Sequence, residues 1–127
     1  MVRSSAPAGP WILIAAPQQR EAAQLDGLFA RDGIPLVVAH HSDEVMALVR
    51  RETCALALVD VDLPGLGGIE LCRRLHREPG RTIPLLLWLD DDDRGLILRG
   101  LEAGALGYLS RASNLDEVYL SLRNHLG

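Results

Sequence analysis

The sequence contains no lysine, and all 13 of its basic residues are arginine. They are outnumbered by 17 acidic residues, which leaves a formal net charge of −4. Nucleic acids and anionic membranes bind to basic faces, so the sequence predicts neither as a partner of this chain. Any chemistry that depends on an ammonium side chain is excluded as well.

Cysteine is scarce, with only Cys54 and Cys72, and the two lie too far apart for a CxxC pair. Without clustered histidines they indicate neither a zinc site nor a disulfide framework, and we expect buried, reduced thiols. No apolar run approaches the ~20 residues of a membrane span, and residues 1–10 lack the apolar core of a signal peptide. We therefore expect a cytoplasmic protein with residues 1–10 as a flexible lead.

Short apolar runs alternate five times with stretches that have helical spacing. Most runs are continuously apolar, which is typical of strands that helices cover on both faces. With 127 residues, 48% of them hydrophobic, the chain suits one domain over residues 11–127. We predict a five-stranded parallel α/β sheet with five helices. The predicted strands are Trp11–Ala16, Ile34–Ala39, Cys54–Asp60, Ile83–Leu89 and Ala105–Leu109.

Local signals mark several helix ends. Pro17 suits the first turn of the first helix, which Gly33 ends, and Ser42 is the predicted N-cap of the second. Asn114, with Glu117 three residues later, predicts a cap for the fifth helix.

One reactive group stands out because the third run ends on a carboxylate, Asp60, before a loop rich in proline and glycine. The carboxyl ends of parallel strands form the edge at which α/β folds bind ligands. The first run ends on Ala16 and Pro17, so the neighbouring strand end brings no charge to Asp60. Gly65, Gly67 and Gly68 do not form a phosphate loop, because the lysine and hydroxyl of a P-loop are missing.

The order of these elements resembles the receiver domain of two-component response regulators. The resemblance covers Trp11 to Leu126 and rests on the spacing of Asp60, Pro64 and Gly68, on Ala103-Gly104-Ala105 and on Gly107-Tyr108. It implies a doubly wound, flavodoxin-like fold with strand order 2-1-3-4-5. It also implies a role in signal transduction and not in enzymatic catalysis.

The resemblance further implies that Asp60 is the phosphoacceptor for a histidine kinase, assisted by Mg²⁺. The acidic pair that holds the metal in the family falls on Ala16 and Pro17. The phosphate-binding hydroxyl falls on Leu89, and the phosphate-pairing lysine falls on Arg111. Arginine keeps a charge and bonds phosphate, but its planar fork differs from an ammonium in reach. Arg111 is expected either to pair with Asp60 or to lie exposed.

These replacements matter because phosphoryl transfer depends on positioning and on charge stabilisation. Two like charges ~4 Å apart repel by ~4 kcal/mol at an effective dielectric of ~20, and Mg²⁺ normally removes that repulsion. Ala16 and Pro17 offer the metal no side-chain oxygen. We therefore predict a degenerate receiver, with no resident metal or cofactor, that acts through phosphorylation-independent protein contacts.

Two alternatives remain open on the sequence. A working receiver phosphorylated on Asp60 would bind Mg²⁺ at a rearranged site that uses Asp62 or the run Asp90–Asp93, with Arg111 supplying charge. That acidic run also suits a solvated helix N-terminus. A small flavodoxin-like enzyme or nucleotide binder is the other alternative, but the residues after the first strand form no phosphate loop.

The predicted fourth and fifth helices carry more apolar residues than one face can bury, namely Leu96, Ile97, Leu98, Leu101, Tyr119 and Leu120. The resemblance implies that these helices and the fifth strand form the output face. A signalling protein, an output domain or a second copy of the chain is the expected partner there, while the need for a histidine kinase stays open. Tyr108 and Leu89 occupy the switch positions of the family, and Leu89 lacks the hydroxyl that the resemblance implies for coupling Tyr108 to phosphorylation.

Overall fold

The computed structural model describes residues 10–17, 19–51, 54–78 and 83–126. Five strands alternate with five helices along the chain, as the sequence predicts. In chain order the elements are β1 (Ile12–Ala15), α1 (Gln19–Arg31), β2 (Leu36–Ala39), α2 (Ser42–Arg51), β3 (Leu56–Asp60), α3 (Gly68–Arg77), β4 (Leu85–Leu89), α4 (Arg94–Ala103), β5 (Gly107–Ser110) and α5 (Leu115–Leu126). The predicted flexible lead falls outside the described residues, apart from residue 10.

All strand pairings are parallel, and the strand order is β2-β1-β3-β4-β5. This order confirms the predicted doubly wound sheet. The order reverses direction between β1 and β3, where Ala15 pairs with Val59. One residue further along β3, Asp60 pairs with Trp88 of β4. The sheet therefore places Asp60 at the switch point of the fold, where open α/β sheets bind ligands.

Two apolar layers cover the sheet, because successive strand residues point to opposite faces. One layer joins the sheet to α2, α3 and α4 and contains both cysteines, and the other joins it to α1 and α5. Burial raises the pKa of Cys54 to about 12 and that of Cys72 to about 11. The two thiols are free and buried, as predicted. Within the described residues, no helix combines the length and the apolar character needed to cross a membrane.

The helix ends agree with the sequence at α5 and differ at α2. Asn114 Oδ1 accepts the Glu117 N–H at 2.9 Å, which confirms the predicted cap. Ser42 is the first residue of α2 and not a cap, because its Oγ accepts the Leu66 N–H at 3.1 Å. His41 takes over the capping role, and its Nδ1 lies 3.0 Å from the Asp43 nitrogen.

Helix α4 packs close to the sheet at Gly100. A Cβ atom on Gly100 would lie 2.1 Å from Leu87 Cδ1, so any larger residue there would require the Leu87 side chain to shift. Asp93 caps the start of the helix by accepting the Leu96 N–H at 3.2 Å. Gly104 ends it with φ of 114°, a left-handed conformation that glycine adopts without strain.

Candidate functional site

Asp60 is almost fully buried, with 3% of the residue exposed at the carboxyl end of β3. Its Oδ1 accepts the backbone N–H of Asp62 at 2.7 Å. The following loop returns close to Asp60, since a Cβ atom on Gly68 would lie 2.5 Å from the Asp60 carbonyl oxygen. The loop glycine thus allows the backbone to approach Asp60, and one carboxylate oxygen is bound by this loop.

The second carboxylate oxygen of Asp60 forms an ion pair with Arg111 Nη1. The same nitrogen lies 3.7 Å from Asp90 Oδ1, and Arg111 Nε donates to Glu21 Oε1 at 3.1 Å. The Arg111 side chain is 16% exposed and that of Asp60 is 4% exposed. Of the two arrangements that the sequence leaves open for Arg111, the structure therefore has the one in contact with Asp60.

Trp88 forms a platform beneath the arginine. The Arg111 Cζ atom lies 4.0 Å from the centre of the Trp88 ring, within the range of a cation–π contact. Trp88 is fully buried, and the Arg111 backbone N–H donates to the Leu89 carbonyl oxygen at 2.8 Å. Strand β4 thus orients both the backbone and the guanidinium group of Arg111.

Arg111 is the cation that compensates the buried charge of Asp60, although it also lies near Glu21 and Asp90. A buried carboxylate is tolerated only when a counter-charge or hydrogen bonds compensate its lost hydration. Arg111 neutralises Asp60 directly and shares its guanidinium group with Glu21. Its Nη2 atom is buried and has no hydrogen-bond partner within the described residues. The guanidinium group therefore contacts these carboxylates through Nη1 and Nε.

An open cleft of about 190 Å³ adjoins the pair, lined by Pro17, Asp60, Asp62, Asp90 and Arg111. Of the acids that the sequence offered as substitute metal ligands, the structure thus brings Asp62 and Asp90 to this cleft. Asp90 is largely exposed, with 77% of its side chain accessible. Across the described residues, no group of three or more His, Cys, Asp or Glu side chains is arranged to hold a metal ion.

The other predicted site residues, Leu89 and Tyr108, do not line this cleft. Leu89 is 1% exposed at the end of β4 and presents an aliphatic side chain at the hydroxyl position of the family. Tyr108 is 39% exposed on β5. At the end of β1, the buried Ala16 carbonyl oxygen lies 2.9 Å from His40 Nδ1.

Sequence reasoning missed Glu21 and the role of Trp88. Glu21 lies one helical turn before the buried Leu25, at the end of α1 that faces the carboxyl edge of the sheet. An acid at that helical position was the available signal. Trp88 is the register partner of Asp60, a relation that follows from strand pairing and not from local pattern.

Residues 12–123 match the family model described as the response regulator receiver domain. Among curated proteins, the transcriptional activator protein ExaE of Pseudomonas putida is 35% identical over 95 residues, which is 75% of this chain and 44% of ExaE. The transcriptional regulatory protein TctD of Salmonella typhimurium is 31% identical over 112 residues, 87% of this chain and 50% of TctD. The chain thus spans half or less of these two relatives.

The fold is also found among solved structures. The chemotaxis response regulator CheY4 of Vibrio cholerae matches with a TM-score of 0.83, over 91% of this chain and 98% of that chain, at 16% identity. At that identity the likeness establishes the fold, and the family match establishes the membership. This chain belongs to the response regulator receiver domain family of two-component signalling proteins.

Proposed function

We propose that this receiver domain transmits its signal through protein contacts that do not require phosphorylation of Asp60. The ion pair between Asp60 and Arg111 is the observation that carries the proposal. Under this proposal the domain is a regulatory element of the cytoplasm and has no enzymatic activity of its own.

Both oxygens of the proposed phosphoacceptor have donors already. Oδ1 accepts the Asp62 N–H, and Oδ2 is paired with Arg111. Attack on a phosphoryl group requires a carboxylate oxygen that can leave its partners and a cation that receives the incoming charge. Because the guanidinium group is shared with Glu21 and lies on Trp88, the charge available to an incoming phosphate is reduced.

The side chains around Asp60 do not fit Mg²⁺. This ion requires near-octahedral oxygen coordination and is held by carboxylates and water. Ala16 and Pro17 contribute no side-chain oxygen, and a guanidinium group lies against the carboxylate that would be the principal ligand. At the phosphate-binding position, Leu89 contributes no hydroxyl. These features support a domain that works without a resident metal.

The proposed contact surface is the α4–β5–α5 face, defined as Leu98, Leu101, Leu106, Tyr108 and Leu120. Each of these large apolar side chains is between 39% and 60% exposed. The face differs from the sequence prediction, because Tyr119 packs edge-on against Phe29 with ring centroids 4.9 Å apart. Tyr119 therefore faces α1, while Leu106 joins the exposed set.

Binding at this face would bury apolar area, which is the principal source of free energy in protein association. A signalling protein, an output domain or a second copy of the chain is the proposed partner. A histidine kinase is not required as a phosphodonor under this proposal. The net charge of −4 further supports a protein partner in preference to nucleic acid.

The test is a titration of the Trp11→Phe variant with Mg²⁺ and beryllofluoride, followed by the fluorescence of Trp88. Substitution of Trp11 leaves Trp88, which lies beneath Arg111, as the single tryptophan. We expect no saturable change in emission. A saturable change that disappears when Asp60→Asn is added would contradict the proposal and support the working receiver with a rearranged metal site.

A further inference from the structure

We propose that Glu21 is a positioning residue, which keeps the Arg111 guanidinium group on Trp88 even when Asp60 carries no charge. The inference deepens the proposed function and rests on it, because it explains how the cation at this site becomes a permanent part of the domain. Its evidence is that Asp60 and Glu21 contact different nitrogens of Arg111, while the exposed Asp90 lies farther away, with its Oδ1 3.7 Å from Nη1.

The two acids bind different nitrogens of the guanidinium group. Asp60 pairs with Nη1, and Glu21 accepts from Nε at 3.1 Å. Loss of the Asp60 charge therefore leaves the Nε bond intact. The Glu21 side chain is 26% exposed and that of Arg111 is 16% exposed, so this charge-assisted bond is only partly screened by water.

Trp88 and the backbone of β4 supply the other restraints. The ring centre lies 4.0 Å from Cζ, and the Leu89 carbonyl oxygen accepts the Arg111 N–H at 2.8 Å. This cation–π contact holds the guanidinium group over the ring but does not by itself decide which nitrogen faces Asp60. The bond from Nε to Glu21 fixes this orientation and so directs Nη1 toward Asp60.

This arrangement makes the position of the cation independent of the charge on Asp60. A neutral Asp60 would lose its ion pair, while Glu21, Trp88 and the backbone bond would still hold Arg111. Arg111 would then not move when Asp60 becomes neutral, and no such movement would be transmitted to the rest of the domain. Because of Glu21, the charge on Asp60 would therefore not affect the conformation of β5 and α5.

The experiment follows the Arg111 Nε–H by ¹H–¹⁵N NMR of the full chain, with assignment by comparison with Arg111→Lys. We expect Glu21→Gln to accelerate solvent exchange of this proton by about tenfold or more, since it replaces a charge-assisted bond by a neutral one. Asp60→Asn and Asp60→Ala are each expected to change the exchange by about twofold or less, because the Nε bond remains.

Two further variants separate positioning from general stability. Glu102→Gln removes an acid from an exposed position of α4 and should leave the Arg111 signal unchanged. Glu21→Asp keeps the charge on a shorter side chain and should recover part of the protection. Denaturation of each variant with urea shows whether the exchange follows global unfolding.

The inference is overturned if either Asp60 variant exposes the Nε–H as much as Glu21→Gln does, or if Glu21→Gln leaves its exchange unchanged. It is also overturned if the loss in Glu21→Gln matches a loss of global stability. These outcomes are independent of the beryllofluoride titration. A chain that binds beryllofluoride through Asp60 would contradict the proposed function while leaving the Glu21 measurement to be judged by its own result.

Discussion

The Asp60 site and the α4–β5–α5 face lie close together along β5. They differ in whether their side chains already have partners within the molecule. At the site, a buried carboxylate has its cation, its backbone donor and an aromatic platform. On the face, Leu98 and Leu106 remain about 60% exposed. Complete burial of an exposed leucine contributes roughly 1.5–3 kcal/mol, and a side chain that is about 60% exposed can still gain a little over half of that on binding. This remaining free energy is what the proposed contact surface would use.

Strand β5 connects the two regions within four residues. Tyr108 lies on the face, and Arg111 follows three residues later at the site. A movement of Arg111 would therefore pull on the strand that carries Tyr108. Arg111 and the face are therefore linked through three residues of backbone.

Arg111→Ala should have the largest effect of the variants considered, and it acts at the site and not at the face, because it leaves Asp60 buried without a cation. We expect a loss of about 3–5 kcal/mol in the free energy of unfolding, measured with urea at pH 7. Arg99→Ala is the matched control. Arg99 is exposed and, within the described part of the chain, its hydrogen bond is to the Gly95 carbonyl oxygen of its own helix, so its replacement should change stability by about 0.5 kcal/mol or less. A loss below about 1 kcal/mol for Arg111→Ala would show that the ion pair is not what keeps Asp60 buried.

Gly100→Ala should disturb the support of the face and leave the site intact. The added methyl would meet Leu87, and overpacking of this kind costs about 1–3 kcal/mol. Gly27→Ala is the control, since nothing lies within 4 Å of a Cβ atom there. In the middle of α1 it should raise stability by about 0.5–1 kcal/mol. Equal effects of the two variants in thermal unfolding would rule out a special contact at Gly100.

Leu98→Glu should leave the fold unchanged and alter only the face. We expect it to change the free energy of unfolding by about 0.5 kcal/mol or less. We expect it to weaken self-association by about tenfold or more, because a charge would replace an apolar contact. Sedimentation equilibrium over a range of protein concentrations measures this change. Ala23→Glu, at an exposed position of α1, should have no effect. Monomers at every concentration of the unmodified chain would exclude a second copy as the partner.

The sequence predicts the fold better than the site. The strands and helices follow from neighbouring residues, whereas the site depends on contacts between residues far apart in the chain. Continuous apolar runs and local caps identify the strands, and the Asn114 cap and the end of α4 at Gly104 follow from neighbouring residues. Each predicted strand begins one or two residues before the observed one, because buried apolar residues such as Trp11 and Cys54 precede the observed strands and extend the apolar runs.

The site depends on contacts between residues far apart in sequence. Asp60 is predictable because its own strand places it at the sheet edge. The partnership of Glu21 with Arg111 spans 90 residues and leaves no local pattern. The exposed face is predicted only in part, because the assignment of Tyr119 depends on Phe29 of another helix. Asp60 as the phosphoacceptor, Arg111 as its phosphate partner, and Tyr108 and Leu89 as switch positions stay predictions.

Ser42 joins two elements that its sequence position would not connect. Its backbone N–H donates to the Pro64 carbonyl oxygen at 3.0 Å, and its hydroxyl accepts the Leu66 N–H. Gly65 lies so close that a Cβ atom would be 2.2 Å from the Ser42 Oγ atom. Hydrogen bonds and close packing therefore hold the loop beyond Asp60 against the first turn of α2. A protein that binds α2 would also restrain that loop. It would do so from the face of the sheet opposite to α5.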